Sequence, residues 1–133
     1  TYTAPEIAQV GVNETTAEAL DIGYIFIKSP FSQVDRAIAA GETEGFLKII
    51  HIANSDEILG ATIVAPHAGE MISEITTAIV NKIVLRKLAG LLHPYPTQAE
   101  VIKKAADAYR RTLLTDNTKN LLKILTKFPS KLF

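Results

Sequence analysis

Hydrophobic and polar residues follow two different periods along this chain. Up to about residue 65, short runs rich in Ile, Val, Phe and Tyr are bounded by glycine, proline and turn-forming residues, which is the pattern of β-strands. These runs predict strands over residues 7–11, 21–28, 45–52 and 58–65. Asn54, Ser55 and Asp56 separate the last two strands and favour a turn, so an antiparallel hairpin is expected there.

Helical spacing dominates after residue 69. A stripe of isoleucines with intervals of three and four predicts a long helix: Ile72, Ile75, Ile79 and Ile83. A second long helix is expected after Pro96, and its apolar side consists of Val101, Ile102, Ala105, Tyr109 and Leu113. A last amphipathic segment follows residues 115–117 and carries Leu121, Leu122, Ile124, Leu125 and Phe128.

Two shorter helical segments are predicted between the strands. One covers residues 17–20, with Asn13 as its cap, and the other covers residues 33–40, with Gly41 at its end. Strands followed by helices argue for an α+β fold in which helices cover an antiparallel sheet. A length of 133 residues fits one domain with a single core.

Composition excludes several classes of partner. The 14 basic and 14 acidic residues cancel, which argues against nucleic acid and against an anionic membrane as partners. No apolar run approaches the roughly 20 residues that a membrane-spanning helix needs, so no membrane segment is expected. No signal peptide is visible and the chain begins at Thr1, which indicates a piece of a longer protein.

The residue types that carry redox or metal chemistry are scarce. Cysteine is absent, so this chain holds no disulfide, thiolate ligand or cysteine nucleophile. His51, His67 and His93 lie in separate segments without a ligand spacing, so no metal site is predicted. The scattered glycines match neither a GxGxxG turn nor a P-loop, so the chain has no dinucleotide-binding motif of its own.

One polar, proline-rich segment, residues 93–100, stands at the start of the second long helix. Thr97-x-x-Glu100 matches a capping box, and Pro94 and Pro96 stiffen the approach. The segment can therefore be a capped helix start and nothing more. Because a catalytic side chain needs a stiff support, Tyr95 is also a candidate active-site residue.

Several short motifs recur in an order that resembles one known family. They are Thr3-x-Pro5-Glu6-Ile7-Ala8-x-Val10-Gly11, Arg36-Ala37, Gly41-Glu42-Thr43-x-Gly45-Phe46-x-Lys48, Ile58-Leu59-Gly60-Ala61, Ala68-Gly69-Glu70 and Pro94-Tyr95-x-Thr97-x-x-Glu100. The series resembles the C-terminal dimerisation domain of the FAD-dependent pyridine nucleotide-disulfide oxidoreductases, which include glutathione reductase, lipoamide dehydrogenase and mercuric reductase.

The resemblance implies a role inside a larger enzyme. In this family the FAD and NAD(P)H domains and a redox cysteine pair precede the dimerisation domain, so the parent is expected to use both cofactors. The fragment alone is expected to bind neither and to be inactive. The resemblance further implies a cytoplasmic homodimer, in which Tyr95 faces the partner subunit's redox centre. The backbone at Pro94 and Tyr95 would contact the flavin, and Glu100 would orient Tyr95 or cap the helix.

At one position the chain departs from the usual His-Pro-Thr-x-x-Glu motif of the family. Tyr95 stands five residues before Glu100, and His93 lies two residues too early to replace the missing histidine. This departure resembles mercuric reductase and its relatives, although the absence of their terminal cysteine pair argues against mercury reduction. A tyrosine is neutral at pH 7, so it orients an electrophile or a soft metal ion better than it shuttles a proton.

The resemblance covers residues 1–114, which we interpret as the dimerisation domain. Residues 115–133 fall outside it and are interpreted as a C-terminal helical extension. An alternative is a stand-alone protein-interaction module that has the same fold and no redox chemistry. An upstream coding region with GxGxxG and Cys-x-x-x-x-Cys would decide for the enzyme.

Overall fold

The structure, a computed structural model, describes residues 2–114 and 116–127. Its strands form one antiparallel sheet in the order β1-β4-β3-β2. The strands are β1 (Glu6–Gly11), β2 (Tyr24–Pro30), β3 (Phe46–Ile52) and β4 (Ile58–Ala65). The predicted hairpin is confirmed, because β3 and β4 pair directly and β4 has the predicted bounds.

Helices occupy the connections and the C-terminal part of the chain. They are α1 (Glu14–Ala19), α2 (Asp35–Ala40), α3 (Ala68–Val80), α4 (Leu85–Leu88), α5 (Glu100–Thr112) and α6 (Asp116–Lys127). Two predicted helix ends are confirmed: the Asn13 side chain accepts the Thr16 N–H at 2.8 Å, and Gly41 ends α2 in the left-handed conformation. The α+β class is therefore confirmed.

The core lies between one face of the sheet and the two long helices. Alternate residues of β3 and β4 point to this face, and α3 covers β1 and β4 while α5 covers β2 and β3. The largest fully buried side chains are Phe31, Val34, Leu47, Ile49, Ile63, Ile75, Leu85, Leu88, Val101 and Ile102. This packing places the approach to α5 next to α2 and α3.

Several predicted boundaries were wrong. Strand β2 begins at Tyr24 and not at residue 21, because Asp21 has a positive φ of 54° and the Ile22 N–H bonds back to Ala17. Strand β2 also ends two residues later than predicted, because Pro30 is its last paired residue. Helix α3 ends at Val80, so Ile83 packs on the core from a loop, and the short helix α4 was not predicted at all.

The apolar side predicted for α5 is confirmed up to Tyr109. Leu113, predicted to be buried with it, is 47% exposed because the helix has ended one residue earlier. The last amphipathic segment is helical as α6. Phe128, also assigned to that segment, lies outside the described residues.

A remote carboxylate supports the first turn of α3. The Glu6 carboxylate on β1 accepts the Gly69 N–H at 2.8 Å, whereas His67, at the cap position of α3, makes no side-chain capping bond. A carboxylate at a helix N-terminus accepts a hydrogen bond from a free N–H and interacts favourably with the positive end of the helix dipole. Two of the sequence motifs are thus joined by one hydrogen bond.

We expect Glu6→Ala to lower the free energy of unfolding by about 1 kcal/mol, the usual cost of a lost helix cap. Gln9→Ala on the exposed side of the same strand is the matched control and should change stability by less than about 0.5 kcal/mol. Urea denaturation of both variants measures the difference. Equal effects would show that the Glu6–Gly69 bond contributes nothing to α3.

The turn between β3 and β4 holds α4 in place. Asp56 accepts the Leu85 N–H through its backbone carbonyl at 3.0 Å, and its carboxylate lies 2.6 Å from Arg86 Nε. Burial by itself raises the pKa of Asp56, but the Arg86 hydrogen bond and charge, with backbone hydrogen bonds, outweigh it and lower the pKa below its usual 3.8.

This shift predicts an acid-sensitive fold. Because the folded-state pKa of Asp56 is lowered, its contribution to stability is present above the unfolded-state pKa of about 3.9 and is lost as pH falls through the folded-state value. Arg86→Gln should make the acid transition begin at higher pH, since only the backbone hydrogen bonds then oppose the effect of burial on the Asp56 pKa. Denaturation curves from neutral pH downward test this, and an unchanged acid transition would contradict it.

Candidate functional site

The approach to α5 forms an exposed tip. Pro94, Tyr95 and Pro96 are all exposed, and the Tyr95 residue is 71% accessible to solvent. The Thr97 hydroxyl donates a hydrogen bond to the Pro94 carbonyl at 2.7 Å and so closes the base of the tip. The predicted site residues Pro94 and Tyr95 therefore lie side by side on a braced, outward-facing loop.

A carboxylate on another element orients the Tyr95 phenol. The Tyr95 hydroxyl donates to Asp35 Oδ2, at the start of α2, over 2.8 Å. This hydrogen bond, followed by the Asp35 charge and by smaller effects of desolvation and of the Glu100 charge, raises the pKa of Tyr95 above its usual 10.0. The phenol is neutral at physiological pH and keeps its oxygen lone pairs for a further hydrogen bond.

The predicted capping box is wrong. Helix α5 has Ala99 at its cap position without a side-chain bond, and its first turn is closed by backbone bonds from Glu100 to Thr97 and from Val101 to Gln98. The reason is that the Thr97 hydroxyl is already used by the Pro94 carbonyl. Thr97 thus stabilises the tip that carries Tyr95, and not the helix end.

Glu100 is held only loosely by its own chain. Its Oε1 atom lies 3.9 Å from Lys104 Nζ, one helical turn further on. Its Oε2 atom is buried and has no hydrogen-bond partner within the described part of the chain. Two roles were predicted for Glu100. The capping role is wrong, because the box does not form, and the role of orienting Tyr95 stays a prediction.

His93 has a partner that sequence reasoning missed. His93 Nε2 lies 2.8 Å from Glu74 Oε1 on α3, and only 7% of the His93 side chain is exposed. Its Nδ1 atom is buried and unpaired among the residues described. Glu74 stands one helical turn after the motif residue Glu70, so the spacing within α3 could have drawn attention to it.

Motif residues that are far apart in the sequence line one cleft of about 730 Å³. The cleft lies between α2, α3 and the start of α5, and its walls include Arg36, Glu42, Glu70 and Thr97. The Gln98 side-chain amide donates to the Glu42 carboxylate across it. Of the described residues, neither Tyr95 nor Glu100 belongs to these walls, so the cleft lies behind the tip.

Metal ligands do not gather at any described position. Within residues 2–114 and 116–127, no group of three or more His, Asp or Glu side chains could hold a metal ion. His51 is buried in β3, with Nδ1 at 2.9 and 2.8 Å from the carbonyls of Ile52 and Ser55 and its ring edge-on to Tyr109. This arrangement gives His51 a structural role.

Comparison with known proteins gives one consistent result. The family model described as "Pyridine nucleotide-disulphide oxidoreductase, dimerisation domain" matches residues 1–106. Dihydrolipoyl dehydrogenase of Chlamydia muridarum is 42% identical over 105 residues, which are 79% of this chain and 23% of that protein. Leghemoglobin reductase of Vigna unguiculata is 40% identical over 107 residues, which are 80% of this chain and 20% of that protein.

A solved structure agrees with these relatives. LpdA from Mycobacterium tuberculosis superposes with a TM-score of 0.75 at 33% identity, over 86% of this chain and 24% of that chain. The chain thus spans about a quarter of the length of these relatives. None of the three is named as a mercuric reductase, so the assignment to that branch stays a prediction. The chain belongs to the pyridine nucleotide-disulphide oxidoreductases and is their dimerisation domain.

Proposed function

We propose that this domain joins two subunits of an FAD-dependent NAD(P)H oxidoreductase and contributes Tyr95 to the partner subunit's active site. The observation that carries the proposal is the exposed Tyr95 on a braced tip. The resemblance in sequence implies that the family's active-site motif lies at this position. A side chain that serves another subunit must project outward and keep its orientation. Tyr95 meets both requirements through its exposure and its hydrogen bond to Asp35.

The tip also fits a contact with the flavin. Pro94 and Tyr95 are exposed, and Thr97 already satisfies the Pro94 carbonyl, so the tip can approach a flat polar ring without leaving that group unpaired. The flavin, held by the other domains, supplies the electron transfer between nicotinamide and acceptor. This chain supplies one wall of the partner subunit's active site and the Tyr95 phenol. The phenol donates or accepts a hydrogen bond at the acceptor and leaves proton transfer to other groups.

Unpaired polar atoms support the idea that another surface meets this segment. Within residues 93–100, three buried atoms have no hydrogen-bond partner in the described part of the chain: His93 Nδ1, Gln98 Oε1 and Glu100 Oε2. Buried polar atoms are nearly always paired in a complete structure. Because these atoms are closed off in the single chain, the segment must shift before another group can pair with them. We propose that it does so when the dimer assembles, and that Glu100 positions the Tyr95 loop there.

Exposed apolar residues on the sheet support association with further protein. On the face opposite the core, Ile7 is 54% and Phe26 is 50% exposed, while Lys28 and Lys48 lie over the rings of Phe46 and Phe26. Such apolar patches mark contact surfaces when they are framed by polar groups. We propose that the two subunits, or this domain and the missing FAD and NAD(P)H domains, cover this face.

Mixed dimers of the full-length parent test the proposal. One subunit carries Tyr95→Phe with intact redox cysteines, and the other carries Tyr95 with the cysteines changed to Ser. If Tyr95 acts in the partner's site, one of the two sites in the mixed dimer is complete, and about half of the wild-type activity returns. If Tyr95 acts within its own subunit, neither site of the mixed dimer is complete and no activity returns. If Tyr95 has no role, the Tyr95→Phe homodimer is itself active, so the mixed dimer shows no recovery relative to the two homodimers.

The fragment by itself should bind neither cofactor, because it has no glycine-rich turn to hold a pyrophosphate. Titration calorimetry of the isolated chain with FAD and with NADPH is expected to give no measurable heat at micromolar concentrations. A yellow protein after purification would contradict this.

We also propose that the dimerisation domain ends near residue 114, that residues 115–133 are an extension, and that the parent is cytoplasmic.

A further inference from the structure

The net charge of zero conceals a strong asymmetry along the chain. Residues 110–133 contain six basic residues and one acidic residue, a formal charge of +5. Residues 1–109 contain eight basic and thirteen acidic residues, a formal charge of −5. A basic C-terminal segment on an acidic body points to an anionic partner. The argument against an anionic membrane, drawn from net charge, therefore does not hold for this segment.

Helix α6 separates its charged and apolar residues onto opposite sides. Lys119 and Lys123 are four residues apart and share one side, while Leu121 and Ile124 are three apart and share the other. Leu121 is 57% and Ile124 is 54% exposed. The long helix α5 is amphipathic as well, but its apolar side is buried against the sheet. Helix α6 thus presents apolar side chains to solvent where α5 does not.

We propose that α6 lies flat on an anionic membrane surface, with its lysines at the lipid headgroups and its apolar side in the outer acyl region. An amphipathic helix with low mean hydropathy, a lysine-bearing side and Leu and Ile opposite is the type that binds in the interface plane. Its 12 residues span about 18 Å. No helix of the described residues is long and apolar enough to cross a bilayer, so the contact is peripheral.

The position of α6 in the chain favours lipid over the partner subunit. The family model ends at residue 106, so α6 lies beyond the domain that the relatives share for dimerisation. The end of α5 shows the same combination of exposed apolar and basic residues, namely Leu113 and Leu114 with Arg110 and Arg111. The basic and apolar surface therefore belongs to the extension and its junction.

Vesicle binding of the full chain tests this. The chain should sediment with vesicles of equimolar phosphatidylglycerol and phosphatidylcholine, but not with pure phosphatidylcholine, and should be released in 1 M salt, where charges are screened beyond about 3 Å. Lys119→Gln with Lys123→Gln should weaken binding about thirtyfold. Lys82→Gln with Lys87→Gln removes the same charge from exposed positions elsewhere and should leave binding nearly unchanged.

A fluorescence measurement reports insertion of the apolar side. The chain has no tryptophan, so Leu121→Trp provides a single probe, whose emission should shift to the blue on addition of the anionic vesicles. Leu20→Trp, at a position that is 62% exposed, is the control and should not shift. Equal binding to pure phosphatidylcholine, equal effects of the two lysine pairs, or no shift at position 121 would overturn the proposal. The proposal would also be overturned if Lys119→Gln with Lys123→Gln abolished self-association in sedimentation but left vesicle binding unaltered.

Discussion

Replacing Tyr95 by Phe in the full-length enzyme should lower turnover about 100-fold, the usual cost of removing one hydrogen-bonding group aimed at a reacting centre. The ring remains and the hydroxyl is on an exposed tip, so the melting temperature should hardly change. Steady-state kinetics and melting curves measure the two effects separately. Full activity with every electron acceptor tried would show that the segment is only the approach to a helix.

Tyr24 provides a matched control for this substitution. Its hydroxyl donates to the Glu18 carboxylate at 3.0 Å, and that bond, with burial and nearby charge, raises the Tyr24 pKa just as Asp35 raises that of Tyr95. Tyr24→Phe removes the same chemical group from a tyrosine outside the tip. Turnover should stay at the wild-type level, so a loss in both variants would point to a general effect on the fold.

The charge of Asp35 should affect how turnover depends on pH. Because Asp35 raises the pKa of Tyr95, the neutral phenol persists above pH 10 in the wild type. Asp35→Asn keeps a hydrogen-bond acceptor but removes the charge, so the alkaline loss of turnover should move to lower pH. An alkaline limb that is identical in wild type and Asp35→Asn would show that the Tyr95 proton does not matter to the reaction.

Gly45→Ala should destabilise the domain by at least about 3 kcal/mol, the sum of backbone strain and overpacking. Gly45 has a positive φ of 99°, and a Cβ atom there would stand 2.0 Å from the Val64 carbonyl oxygen of the neighbouring strand. Neither backbone can move without breaking the pairing of β3 with β4. Urea denaturation measures the loss.

Gly41 separates the two causes. It also has a positive φ, of 70°, but no atom lies within 4 Å of the position that a Cβ would occupy. Gly41→Ala should therefore cost only the left-handed conformation, about 1–2 kcal/mol. If Gly45→Ala were no worse than Gly41→Ala, the close approach to β4 would have no energetic consequence.

Local patterns carried much of the fold prediction. Strand β4 and the hairpin with β3 follow from β-forming runs on both sides of an Asn-Ser-Asp turn, and the buried side of α5 follows from helical spacing. Some failures occur where a nearby backbone group takes a hydrogen bond that the sequence pattern assigns elsewhere. The Thr97 capping box did not form, because the chain brings the Pro94 carbonyl within reach of the same hydroxyl.

By itself, the sequence determined the order of the strands and of the helices other than α4, the α+β class and the family, because these depend on periodicity and on motifs read along the chain. Only the tertiary structure decided the partners of the motif residues. Glu6 with Gly69, Asp35 with Tyr95 and Glu42 with Gln98 are 63, 60 and 56 residues apart. Such pairs depend on how the helices pack on the sheet, and no local pattern contains that information.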